Sequence, residues 1–191
     1  KAAWINGSGI QVWENVFGSW NPWNAKDRAD IRRMNPLLLY FSDLYTSDEW
    51  KPFVPTDDAE VLASLWENGQ YKVWNIVNNR KSSSLIRLSF ANEDEILYDV
   101  WNGEKMNSRK KDGRVYVEIP PHRLGAIAAL KNNNLPEGFE ELIKNQKTES
   151  LRKLPEPDHH VYAAPVVNSV VYQGSAANSA VDKNKLLELK A

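Results

Sequence analysis

Between residues 59 and 131, short runs of branched, aromatic and alternating apolar residues follow one another: Glu60–Trp66, Tyr71–Val77, Leu85–Phe90, Ile96–Trp101, Arg114–Ile119 and Gly125–Leu130. The breaks carry Asn68-Gly69, Asn92-Glu93-Asp94, Asn102-Gly103 and Asp112-Gly113. Asn, Asp and Gly reverse a chain because they tolerate the backbone angles that tight turns demand. A parallel pair of strands needs a long crossover, usually a helix, and no helix-length crossover fits between these runs. The pattern therefore predicts an antiparallel sandwich of about six strands.

The flanks read differently. After the Gly7-Ser8-Gly9 turn, Ile10–Phe17 mixes branched and aromatic residues as a strand does, and a Gly/Asn/Pro loop runs on to Asn24. From Ala25 the pattern is helical: Asn24 caps, Asp27 sits in the first turn, and Ile31, Met34, Leu38, Phe41 and Tyr45 recur at helical spacing. Pro36 lies inside that pattern and is expected to kink the helix or split it. Beyond Lys131–Asn134, the stretch Pro136–Leu154 reads as a charged surface helix packed on the sandwich, with Phe139, Leu142, Ile143 and Leu151 as its apolar stripe. Pro155, Pro157 and Pro165 then punctuate an extended segment, and Val161–Val181 holds no charged residue, as expected of a linker or of an edge strand with an outside partner. The expected fold class is α+β, mainly β. Its parts are a strand–loop–helix unit over 1–58, a sandwich over 59–131, a helix over 132–154 and an extended tail over 155–191.

Bulk properties exclude several functions. At 191 residues the chain can bury a core without staples. Its 24 Lys and Arg against 25 Asp and Glu give a net charge of −1, so no electrostatic pull toward nucleic acid or an anionic membrane is expected. The absence of cysteine excludes disulfides and thiolate metal sites. No uncharged apolar run approaches the roughly 18 residues of a membrane span. The start, Lys1 in place of methionine, has no basic and apolar leader and reads as that of a processed or excised piece.

Chemistry concentrates near the beginning. The first 24 residues hold Trp4, Trp13, Trp20 and Trp23, four of the chain's eight tryptophans, with Asn6, Asn15, Asn21 and Asn24, and Glu14 is their lone acid. A pyranose ring has apolar C–H faces that stack on indole and a belt of hydroxyls that needs amide and carboxylate partners. Trp13, Asn15, Trp20, Asn21 and Trp23 are therefore the expected glycan contacts, and Glu14 is the candidate catalytic carboxylate. Tryptophan is equally a dominant core residue, so each indole also has a packing role open to it.

The order strand Gly9–Phe17, loop Gly18–Asn24, helix from Asp27-Arg28 to Tyr45, then a sandwich with Trp74-Asn75-Ile76-Val77-Asn78-Asn79 and Tyr98-Asp99-Val100-Trp101-Asn102-Gly103 resembles the end of a bacterial glycoside hydrolase. In such enzymes a (β/α)8 barrel closes with its last strand and helix and is followed by a small β-sandwich. The resemblance covers residues 5 to 131. It implies a carbohydrate-related role, oligosaccharide or polysaccharide as ligand and neighbouring domains in a larger parent; the expected location is exported, periplasmic or extracellular, with a cytoplasmic one left open. A barrel builds its active site from all eight strand ends, and glycoside hydrolysis ordinarily needs two carboxylates, so this chain alone is expected to be catalytically silent. Asp27 and Asp30 fall in the helix, where a solvated face or cap is their expected role.

Two other classes stay open: a noncatalytic carbohydrate-binding module, and a structural domain whose tryptophans pack against a partner domain. The remaining constellations offer less. His159-His160 lacks a third regularly spaced ligand, and neighbouring side chains in extended chain point to opposite faces, so no metal site is expected. His122 is expected at an exposed strand end, and Arg109-Lys110-Lys111, just before Asp112-Gly113, at a solvated hairpin tip. No phosphate-cradling loop, serine elbow or zinc motif is present, and no cofactor is expected.

Overall fold

Two strands with no solvent face organise the molecule. They are β3 (Tyr71–Asn78) and β9 (Leu124–Leu130), antiparallel neighbours with Trp74 opposite Ile127. The computed structural model describes residues 1–9, 25–121, 123–131 and 135–153. Contacts divide the chain into two units, Lys1–Trp13 with Arg28–Lys153, and Glu14–Asp27 with Leu154–Ala191. Apart from Ala25–Asp27, the described residues belong to the first unit, whose architecture follows.

Nine strands form two antiparallel sheets among the described residues. Besides β3 and β9, they are β1 (Trp50–Lys51), β2 (Val61–Glu67), β4 (Ser84–Arg87), β5 (Ile96–Asp99), β6 (Glu104–Lys105), β7 (Arg109–Lys111) and β8 (Arg114–Ile119). The larger sheet runs β1-β2-β3-β9-β5-β6 and the smaller β4-β8-β7. The class is α+β, mainly β, as expected. All six runs read from the sequence are strands, with ends shifted by up to three residues, as where the run read to Phe90 stops at Arg87. The short β1, β6 and β7 were not read from it, because two or three residues carry no periodicity.

Alternation in β3 and β9 creates two cores. Val73, Val77, Ala126, Ala128 and Leu130 face one side with Met34, Leu37, Phe41, Trp101, Phe139 and Leu142. Trp74, Ile76, Ile127 and Ala129 face the other with Ile86, Leu88, Val115 and Val117 of the smaller sheet. Because successive side chains point to opposite faces, a one-residue slip would exchange the two sets, and the two-sided burial pins the register.

The first core is roofed by α1 (Ala2–Ile5), α2 (Ala25–Tyr40), α3 (Ser42–Tyr45) and α4 (Phe139–Leu151). Pro36 neither ends nor splits α2: the break comes at Phe41, whose φ of −97° and ψ of 23° separate α2 from α3. The buried stripe is Met34, Leu37, Phe41 and Leu44, while Leu38 and Tyr45 pack along its margin and Ile31 is only partly buried. The expected stripe was thus rotated by about one position, an ambiguity built into a spacing that alternates between three and four. In α4, Phe139 and Leu142 are buried as expected, but Leu151 is 72% exposed and Gln146 takes the central place, its Nε2 donating to the Arg33 carbonyl at 2.9 Å.

Turn chemistry follows the sequence. Asn68 Oδ1 accepts from the Gln70 and Tyr71 amides at 2.9 and 3.0 Å. Asp112 and Gly113, with φ of 53° and 73°, make the two positive-φ positions of the β7–β8 turn. Arg109–Lys111 forms an exposed edge strand before that turn rather than its tip, and its charges discourage pairing by another chain. Gly103 (φ 69°) sits directly under α4: a Cβ there would lie 2.2 Å from the Ile143 carbonyl oxygen and from the Lys147 nitrogen.

Candidate functional site

Trp13, Glu14, Asn15, Trp20, Asn21 and Trp23 lie at 10–24, outside the described residues, as do His122, His159, His160 and the tail from 154. The other tryptophan of that opening stretch has a settled role. Trp4 is fully buried, its ring tilted against Trp101 at 5.1 Å, and its Nε1 donates to the Gly125 carbonyl at 2.8 Å. Its own carbonyl accepts from Asn75 Nδ2 at 2.8 Å, and Asn75 Oδ1 accepts from the Tyr45 hydroxyl at 2.7 Å. Burial pushes the Tyr45 hydroxyl well above its usual range, with the Asn75 hydrogen bond opposing the shift. Trp66, Trp74 and Trp101 are core residues too, and Trp50 is 41% exposed.

The described surface includes two open clefts that meet at Pro55. The first, about 310 Å³, is lined by Phe90, Arg87, Ser89 and Arg114 over a floor of Leu88 and Val115. The second, about 380 Å³, is lined by Phe53, Thr56, Asp57 and Asp58. Their rims carry the exposed rings of Phe53 and Phe90, 58% and 52% accessible, and both residues have positive φ, 49° and 70°. A bulky residue in that region is strained, and the strain persists only where the surroundings over-determine it.

The surroundings of Phe90 do so. Its carbonyl accepts from Lys72 Nζ at 2.7 Å, and that ammonium lies 2.8 Å from Glu95 Oε1 in an ion pair almost shut off from solvent. Glu95 also accepts from the Asn92 amide (2.8 Å) and Nδ2 (3.1 Å), so the turn closes on itself. Trp74 Nε1 donates to the Ser89 carbonyl at 3.0 Å, and the Ser89 hydroxyl donates to the Pro55 carbonyl, tying the two cleft loops together. Lys51 Nζ stands 5.6 Å from the Phe90 ring centroid and pairs with Glu67. Nothing in the sequence announced the strained phenylalanines, since φ at a non-glycine residue leaves no compositional trace. Lys72 and Glu95, far apart in the chain, gave no signal either.

The carboxylates near the clefts are already engaged. Asp58 Oδ2 accepts from Arg80 Nε at 2.7 Å and from the Ser84 hydroxyl, and Oδ1 accepts from the Glu60 amide at 3.0 Å. The Arg80 hydrogen bond and then that of Ser84 hold the Asp58 carboxyl down at about 2. Asp57 Oδ1 lies 3.2 Å from Arg87 Nη2. A glycosidase acid needs a raised pKa, and the shift at Asp58 runs the other way. Asp99 is raised, first by burial, but both its oxygens are occupied by Asn102, at 2.9 Å from the amide and 2.7 Å from Nδ2. Among the described residues, no group of three or more His, Cys, Asp or Glu is placed to hold a metal ion, and no helix is long and apolar enough to cross a membrane.

No protein-family model matches the chain, and no curated protein does. The solved structures similar to it include glycoside hydrolases. An Anoxybacillus α-amylase assigned to a new glycosyl hydrolase subclass is 13% identical with a TM-score of 0.45, over 58% of this chain and 24% of that one. AmyP, solved in complex with maltose, is 15% identical with a TM-score of 0.42, over 60% and 23%. A GH30 endoxylanase from Clostridium papyrosolvens is 13% identical with a TM-score of 0.36, over 58% and 32%. This chain therefore spans about a quarter of the amylases and a third of the endoxylanase.

Proposed function

We propose that the chain is the C-terminal portion of a glycoside hydrolase-like protein, contacting oligosaccharide or polysaccharide and performing no catalysis by itself. The observation that carries this reading is the pair of exposed, strained phenylalanines on the rims of two open clefts, in a unit whose cleft carboxylates are locked in ion pairs. Exposed aromatic faces beside polar groups suit the amphipathic surface of a sugar. On the same reading, Trp13, Asn15, Trp20, Asn21 and Trp23 contact glycan, and Glu14 is a substrate-binding acid or one member of a catalytic pair whose other member lies in a neighbouring domain.

A glycan-array screen of the chain, with Glu14→Gln and Trp20→Ala alongside, tests it. Binding is expected, weakened in the variants while the fold survives. Silence across the array would leave a structural domain, and hydrolysis of an oligosaccharide by the isolated chain would overturn the noncatalytic assignment.

A further inference from the structure

The two clefts differ in charge. The first is lined by Arg87 and Arg114 and by no carboxylate, and the second by Asp57 and Asp58 and by no cation. Arg87 already pairs through Nη2 with Asp57 and its Nε is buried, so of the two guanidiniums Arg114 is the one exposed to a ligand. A guanidinium satisfies a carboxylate in a planar, two-pronged geometry that a neutral hydroxyl cannot reproduce. The cleft volume falls at the low end of small-molecule sites, which run from roughly 300 to 1,000 Å³, and so suits a single ring unit.

We propose that this cleft is a subsite for a carboxylated pyranose, a uronate unit of an acidic saccharide, with the ring face on Phe90 and the carboxylate on Arg114, beside the Asp57-paired Arg87. The assignment rests on the carbohydrate-related reading above and narrows it to one ligand charge at one place. Preorganisation is what the local construction supplies. The Lys72–Glu95 pair, the Asn92 turn and Trp74 hold the Phe90 loop in a conformation that the residue would not choose alone, so little ordering remains to be done on binding. Net charge is near zero overall, so the preference is local: it comes from the cleft and not from a global field.

Calorimetric titration of the full chain with tetragalacturonate, and with its methyl ester as a control of the same rings without charge, tests the assignment. Saturable binding of the acid is expected, stronger than that of the ester and weakening with added salt. Phe90→Ala should weaken it by about tenfold, the size of one lost stacking contact. Arg114→Gln, at an exposed position that cannot disturb the core, should erase the preference for acid over ester. Equal affinity for acid and ester, no binding of the acid, or acid binding unchanged in both variants would overturn the subsite. If neutral glycans still bind through Trp20 on the array, only the subsite fails. If neither ligand set binds, the carbohydrate reading falls with it.

Discussion

Gly103→Ala is the substitution to which the fold should be most sensitive for its size. Only one methyl is added, but it points into the backbone of α4, 2.2 Å from the Ile143 oxygen and the Lys147 nitrogen and 2.8 Å from the Lys147 Cα. These atoms are main chain and cannot swing aside, so α4 has to retreat by more than an ångström before the contact becomes ordinary. Retreat lifts Phe139 and Leu142 from the first core and strains the hydrogen bond from Gln146 to the Arg33 carbonyl. Overpacking of this kind costs about 1–3 kcal/mol, and an alanine forced to positive φ adds about 1 kcal/mol, for a total of about 2–4 kcal/mol. Gly113→Ala is the control, with φ of 73° but nothing within 4 Å of the added methyl, so it should cost only about 1 kcal/mol. Urea unfolding followed by tryptophan fluorescence, with amide exchange of α4, gives both numbers. If Gly103→Ala costs no more than Gly113→Ala, or α4 keeps its protection, the close docking of that helix on the turn is wrong.

Two further outcomes follow from the buried polar contacts. Asp58 has its folded pKa depressed to about 2, below the unfolded value of about 3.9, so its contribution is present above the unfolded value and lost as pH falls through the folded one. Asp58→Asn should therefore lower the urea midpoint at neutral pH and flatten its fall between about pH 4 and 2, and a parallel offset at all pH values would count against the ion pair as the cause. Trp4→Phe keeps most of the ring but leaves the Gly125 carbonyl without its donor, and should cost about 2–3 kcal/mol in thermal or denaturant unfolding, a neutral result contradicting α1 as an anchor of the sheet.

The strands were legible because turn residues bracket each run and because β3 alternates on both faces, Val73 and Val77 to one side and Trp74 and Ile76 to the other. Helix boundaries were less so. Pro36 stays inside α2, where packing of Leu37 and Phe41 on the sheet outweighs one lost backbone hydrogen bond. Leu151 fits helical spacing as an apolar residue, but the stripe stops at Gln146, whose amide finds the Arg33 carbonyl. Composition alone could not separate core from surface indoles: Trp4 sits among asparagine and glycine in sequence and is wholly buried in space. The cleft rims were invisible for a different reason. Phe53 and Phe90 owe their exposure to backbone angles held by residues distant in sequence, Ser64 beside the first and Lys72 and Trp74 beside the second.

Two central strands with no free face also limit where the chain can change. At β3 and β9 every side chain already has a neighbour, so a new residue there must fit a filled space on one side or the other. Tolerance is displaced to the ends of the sandwich, to two-residue strands such as β1 and to the turns around Phe53 and Phe90, where a substitution alters a rim and leaves both cores intact. Over many generations the rims can drift in sequence while the packed middle stays as it is.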